Sequence, residues 1–125
     1  ARRCRTPRDA READYVHDEA TLAHWFPASV PRVILSHTRP EPMLGLLRRI
    51  DTGPATTIAL GFINRGGTLD VPGLLFANRC TWAHAIDAVA GVLGHPREAL
   101  LTDDELAAID GRGDPRVVLD AQAVA

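Results

Sequence analysis

Apolar residues recur at helical spacing in some stretches of the chain and run unbroken in others, and the alternation between the two is its first readable feature. The segment Asp18–Phe26 places Leu22, Trp25 and Phe26 on one face of a short helix, which Pro27 ends. Pro31–His37 has a continuous, β-branched apolar centre (Val33, Ile34, Leu35), as in a strand buried on both faces. Thr38 and Glu41 then stand at capping-box spacing with Pro40 between them. Met43, Leu44, Leu47 and Ile50 form the stripe of a second helix, ending near Asp51–Pro54. Thr56–Ile63 predicts a second strand, and Asn64-Arg65-Gly66-Gly67-Thr68 a turn, because Asn and Gly tolerate positive φ.

Beyond the turn, Leu74–Ala77 is too short for its period to decide between helix and strand. Trp82, Ile86, Val89 and Leu93 define the strongest helix, over Thr81–Leu93, with Gly94 as its stop. A second capping box, Thr102-Asp103-Asp104-Glu105, opens a helix through Ile109, which Asp110-Gly111 breaks. Arg116–Leu119 reads as a final edge strand. Strands alternating with helices predict an α/β domain over residues 17–125 with a mostly parallel sheet, preceded by a polar linker over residues 1–16. Three strands make a thin free-standing sheet, so the pattern predicts a domain that leans on neighbours.

Composition narrows the class. The 125 residues fit one domain, and 46% hydrophobic with 24% charged residues is a globular balance rather than a disordered one. No apolar run reaches the length of a membrane span, and no signal peptide opens the chain. The first residue is Ala rather than Met, which suggests a processed product or a piece of a longer polypeptide. A net charge of -2 advertises no nucleic-acid or membrane partner. Every cationic Lys/Arg position is Arg, and five of them (Arg2, Arg3, Arg5, Arg8, Arg11) crowd the first residues without the interleaved aromatics of a nucleic-acid reader. Cys4 and Cys80 suggest neither a disulfide framework nor a zinc site, and a reducing cytoplasm is the default location.

Candidate chemistry is sparse. His37, Thr38 and Arg39 follow the first strand ahead of a helix, where ligands of open α/β sheets gather and where free N–H groups favour anions. The bland alternative is that Thr38 caps the helix and Arg39 faces solvent or another domain. Asn64, Arg65, Gly66, Gly67 and Thr68 either fold into an anion-binding concavity or form a plain turn; they are no P-loop, since no Lys-Ser or Lys-Thr pair follows. Asn78, Cys80, His84 and Asp87 surround the start of the strongest helix. Cys80 and His84 are read either as a nucleophile–base pair or, preferably, as an inert buried thiol beside a histidine on the helix surface. His17, His24, His37 and His95 form no cluster at metal-ligand spacing, and the carboxylates at helix starts are explained by capping.

The stretch Val30–Leu93 resembles the C-terminal domain of phosphoketolases, within the transketolase superfamily of thiamine-diphosphate enzymes. The resemblance is carried by the acidic short helix Asp18–Phe26 with Val30-Pro31-Arg32-Val33-Ile34. Gly61-Phe62-Ile63-Asn64-Arg65-Gly66 is similar to the family's Gly-Tyr-x-x-x-Gly turn, and Thr68, Leu74, Asn78 and His84 fall where the family carries Thr, Met, Asn and His. The family's Pro-Phe-Asp-Met is here Val71-Pro72-Gly73-Leu74, its Asp-Arg before the His is here Thr81-Trp82, and the tail from Pro96 to Leu119 has no counterpart. These departures suggest a divergent phosphoketolase-like or transketolase-like member. The resemblance implies a three-layer sandwich with a mostly parallel, mixed sheet, acting as a structural and dimerisation domain. It implies a homodimeric parent enzyme acting on xylulose 5-phosphate or fructose 6-phosphate, with thiamine diphosphate and Mg2+ held by the N-terminal and middle domains and none in this one. His37–Arg39, Asn64–Thr68, Asn78 and His84 are then anion-contacting or domain-interface residues. The alternative is a free-standing small α/β interaction or anion-binding module, monomeric and complete.

Overall fold

The computed structural model describes residues 19–47, 55–64 and 66–120. The predicted linker with its arginines, Cys4, His17, the far end of the second helix beyond residue 47, and Arg65 lie outside the described residues. The first helix, α1 (Glu19–Trp25), ends just ahead of Pro27, and the Phe26 N–H closes its last turn on the Leu22 carbonyl. Strand β1 (Arg32–Ser36) and strand β2 (Thr57–Gly61) pair in parallel, in register from Arg32 opposite Thr57 to Ser36 opposite Gly61. Helix α2 (Pro40–Leu47) lies on the crossover between them. A parallel pair requires such a crossover, which is the strand–helix–strand order read from the sequence.

Gly61 is required where the crossover passes over the end of β2. A Cβ there would overlap Pro40 and come within 2.8 Å of the Thr38 carbonyl oxygen, which accepts the Phe62 N–H. Helix α3 (Val71–Ala77) settles the open assignment of Leu74–Ala77, and the Asp70 carboxylate caps it by accepting the Gly73 N–H at 2.9 Å. Helix α4 (Trp82–Leu93) has Thr81 as N-cap and Gly94 in the left-handed region (φ 65°) as its stop. A short 3-10 turn (Arg97–Ala99) leads to helix α5 (Asp103–Ile109), whose capping box is complete: Glu105 N–H reaches Thr102 Oγ1, and Thr102 N–H reaches Glu105 Oε2 at 2.8 Å.

Three expectations are corrected. Arg116–Leu119 is a helix, α6, rather than an edge strand. Asp114 Oδ1 accepts the Arg116 N–H at 3.0 Å, Pro115 already holds helical angles, and the N–H groups of Val118 and Leu119 close on the Pro115 carbonyl. Four residues are too few for side-chain period to reveal this. The sheet accordingly has two strands among the described residues rather than three. Neither strand is buried on both faces: Leu35, the penultimate residue of β1, is 49% exposed, β2 is partly buried throughout, and the buried β1 residue is Arg32.

The core lies elsewhere. Ala83, Leu101, Leu106, Ala108, Ile109 and Val118 form the buried cluster, with Phe76, Trp82 and Ile86 packed against it. It joins α4, α5 and α6, and the Trp82 indole N–H locks it by donating to the Val118 carbonyl at 2.8 Å. Helix α4 also packs on β1, and α2 on β2, so the strongest helix ties the sheet to the helical core. The described chain is a small mixed helix–strand protein with a parallel two-stranded sheet.

Candidate functional site

The sequence-derived candidates fall into two places. His37, Thr38 and Arg39 occupy an exposed turn after β1. Thr38 does not cap α2, which begins two residues later at Pro40. Its hydroxyl pairs with Ser36 Oγ at 2.8 Å, and its N–H donates to the same oxygen at 3.1 Å. Local hydrogen bonding of Ser and Thr has taken the place of capping.

The second place is the corner where the end of β2, the following turn, α3 and α4 meet. Gly66 and Gly67 both have positive φ (77° and 118°), as the composition of the turn requires, and Gly66 donates its N–H to Asn64 Oδ1 at 2.9 Å. That donor is therefore engaged within the turn. Thr68 is exposed. Ile63, Gly66, Leu69, Leu74, Ala77 and Asn78 line an open cleft of ≈ 360 Å³. Asn78 is the polar side chain of that wall, and it serves the fold. Its Oδ1 accepts the Ile63 N–H at 3.0 Å, while Nδ2 donates to the carbonyls of Ile63 (3.1 Å) and Leu74 (2.8 Å). One amide thus pairs with both backbone groups of Ile63, two residues beyond the end of β2, as a neighbouring strand would, and both its N–H donors are occupied.

His84 is the residue most altered from its expected place. It is 4% exposed, not on the helix surface. Its Nδ1 lies 2.7 Å from Thr81 Oγ1, and its ring meets Phe76 of α3 edge-on with centroids 5.4 Å apart. Burial pushes its pKa below the ordinary imidazole range, the cation Arg79 adds to this, and Asp87 opposes it. Cys80 is buried and points its Sγ at the Asn78 carbonyl (3.4 Å), and burial pushes its thiol pKa up. A thiol held protonated is a poor nucleophile, and Cys80 and His84 each bond elsewhere, so the nucleophile–base arrangement is not built.

Asp87 belongs to a charge ladder that sequence reading missed. Arg97 donates to Asp87 at 2.8 Å and to Asp110 at 3.0 Å, Arg112 reaches Asp110 at 2.9 Å, and Arg79 stands 3.9 Å from Asp87. The hydrogen bonds from Arg112 and then Arg97 hold the Asp110 carboxyl below the usual carboxylate range. The ladder bridges α4, the 3-10 turn and the end of α5, and only the packing of those elements brings these distant residues together. Arg32 was missed for the same reason. Its guanidinium donates to the carbonyls of Phe26 (3.0 Å) and Pro27 (2.6 Å) and to Thr57 Oγ1 (3.3 Å), tying the end of α1 to both strands.

Among the described residues no group of three or more His, Cys, Asp and Glu is placed to hold a metal ion, and no helix is long and apolar enough to cross a membrane. His24, His37 and His95 are exposed and apart. Chemically the corner can present an apolar cleft with a fixed wall, and its polar groups maintain that wall. Compared with protein-family models, curated proteins and solved structures, the chain matches none.

Proposed function

We propose that this chain is a structural packing domain, and that the protein to which it belongs is a thiamine-diphosphate-dependent, phosphoketolase-like or transketolase-like enzyme of the cytoplasm, with this segment as its C-terminal part. The observation that carries the packing role is Leu35. A parallel sheet is ordinarily covered on both faces, yet this penultimate β1 residue is half-exposed, with Trp25 (54%), Phe26 (38%) and Val30 (50%) exposed close by in sequence. Large apolar side chains left exposed next to a sheet support an interaction role. In this reading the two strands are part of a mixed sheet in a three-layer sandwich, and these side chains are covered by the N-terminal and middle domains or by the second subunit of a homodimer.

The enzyme assignment rests on the resemblance of Val30–Leu93. Among the described residues the Asn78 amide donors and the Gly66 N–H are engaged within the fold, and no group of three or more His, Cys, Asp and Glu is placed to hold a metal ion. In this reading thiamine diphosphate and Mg2+ are held by the N-terminal and middle domains, and no step through them is assigned to this chain.

The two parts of the proposal have separate tests. The full-length gene product, supplied with thiamine diphosphate and Mg2+, is expected to consume xylulose 5-phosphate or fructose 6-phosphate, with acetyl phosphate formed if inorganic phosphate is the acceptor. Turnover of neither sugar overturns the enzyme assignment. Leu35→Arg is expected to abolish assembly in sedimentation while leaving helical content unchanged, and unaltered assembly overturns the packing role. A monomeric chain whose melting temperature rises with phosphate would favour the free-standing module, with His37–Arg39 as its anion site.

A further inference from the structure

We propose that the Thr81–His84 pair is an acid-sensitive latch on the α3–α4 corner. Proton uptake by His84 releases the corner and dismantles the Asn78 wall of the cleft, while the α4–α5–α6 core stays folded. The geometry begins with the hydroxyl of Thr81, which is 1% exposed. Thr81 Oγ1 accepts the His84 N–H as the N-cap of α4 and lies 2.7 Å from His84 Nδ1. With the hydroxyl proton directed at Nδ1, both groups are satisfied, and the neutral imidazole carries its own proton on Nε2. A protonated imidazole must donate through Nδ1 instead. The hydroxyl proton is then turned away, and among the described residues Thr81 Oγ1 bonds to no other group. A buried donor without an acceptor and a buried cation are thus created together, each of which disfavours the packed state.

The charges acting on His84 among the described residues do not compensate. Arg79, at the end of α3, repels an imidazolium. Asp87, one turn along α4, attracts it, but that carboxylate is already bonded to Arg97 at 2.8 Å. The latch holds three things at once. The His84 ring packs on Phe76 of α3, Thr81 is preceded by the buried Cys80, and Cys80 Sγ bonds to the Asn78 carbonyl. Asn78 in turn clamps Ile63. The apolar α4–α5–α6 cluster includes Ala83, the residue before His84, and Phe76 packs against it from α3.

The sign follows from the burial of the neutral form. The unfolded or opened corner binds its proton near the ordinary imidazole value of 6.5, and the closed corner binds it only at lower pH. Closure is therefore favoured above that value and weakens as pH falls below it, by roughly tenfold per pH unit until the closed form is itself protonated.

The test uses the full chain carrying Cys4→Ser, which leaves Cys80 as its one thiol. The rate of Cys80 labelling by dithiodipyridine is measured from about pH 8 to pH 5 and divided into the rate for the same chain in denaturant, which removes the intrinsic pH dependence of the thiol. Protection is expected to fall about tenfold on acidification, with α5 amides still protected from hydrogen exchange. His84→Asn keeps an acceptor for the Thr81 hydroxyl but has no proton to gain, and its protection should stay flat. Protection that does not fall in the wild-type background, or falls equally in His84→Asn, overturns the latch, as does simultaneous loss of α5 protection. If His84→Asn does not fold, NMR titration of the wild-type imidazole decides. Loss of protection must track protonation of His84, and loss that tracks another histidine, or none, overturns the proposal.

Discussion

At the scale of single residues, several side chains perform backbone duties. Asn78 substitutes for a strand partner at Ile63, Thr81 for the missing helix carbonyls of α4, and Arg32 for a turn that would otherwise have to join α1 to the sheet. Arg79 is the contrary case. It has φ 57°, the position that usually takes Gly at the end of a helix, and its neighbour Cys80 sends its N–H back to the Leu75 carbonyl at 2.8 Å. A side chain in the left-handed region costs about 1–2 kcal/mol, and the 3.9 Å approach of a 61%-exposed guanidinium to Asp87 returns little of it. Arg79→Gly is therefore expected to raise stability to urea by about 0.5–1 kcal/mol, checked by equilibrium denaturation. Because Arg79 also disfavours the imidazolium, the same variant should shift the His84 titration toward higher pH. An unchanged titration would show that Arg79 takes no part in setting it.

At the scale of elements, the ends of helices were legible and the identity of short segments was not. Caps are local chemistry: Thr102 with Glu105 and Gly94 after Leu93 act as their spacing predicts, while Thr81, read as the first residue of its helix, is its N-cap. Thr38 shows the limit of such reading, because a Ser two residues back offered its hydroxyl a nearer partner. Thr102→Ala should cost about 1 kcal/mol, read as a lower denaturation midpoint with unchanged slope. The α6 segment owes its state to position rather than propensity. Val118 is wholly buried in the core, and its carbonyl accepts the Trp82 indole N–H. Trp82→Phe leaves that carbonyl without its indole donor and should cost about 1–3 kcal/mol, with α6 amides losing protection from exchange before those of α5.

For the molecule as a whole, the distribution of burial is uneven. The apolar core belongs to the helical second half, while the parallel sheet is only partly buried. Arg32 is the principal tie among α1, β1 and β2, through charge-assisted bonds to two carbonyls and a hydroxyl. Arg32→Met, similar in length but without donors, should cost about 2 kcal/mol and release α1 first, measured as early loss of exchange protection over residues 19–25. The exposed Leu35 is the reason to expect assembly. If Leu35→Arg and wild type sediment alike, the sheet has no partner and the packing role fails.

The positions of α1, α2, α4 and α5, the Thr102 capping box, the Gly94 stop, the strand–helix–strand order and the Gly66–Gly67 turn could be read from the sequence, because each depends on neighbours a few residues away. The burial of His84, the clamp of Asn78 on Ile63, the ladder from Arg79 to Arg112 and the helical state of Arg116–Leu119 could not. Each of these depends on which distant backbone or charge arrives beside the residue. One-dimensional spacing is blind to that arrival, since the free energy of burying a polar group is set by the partners that packing supplies.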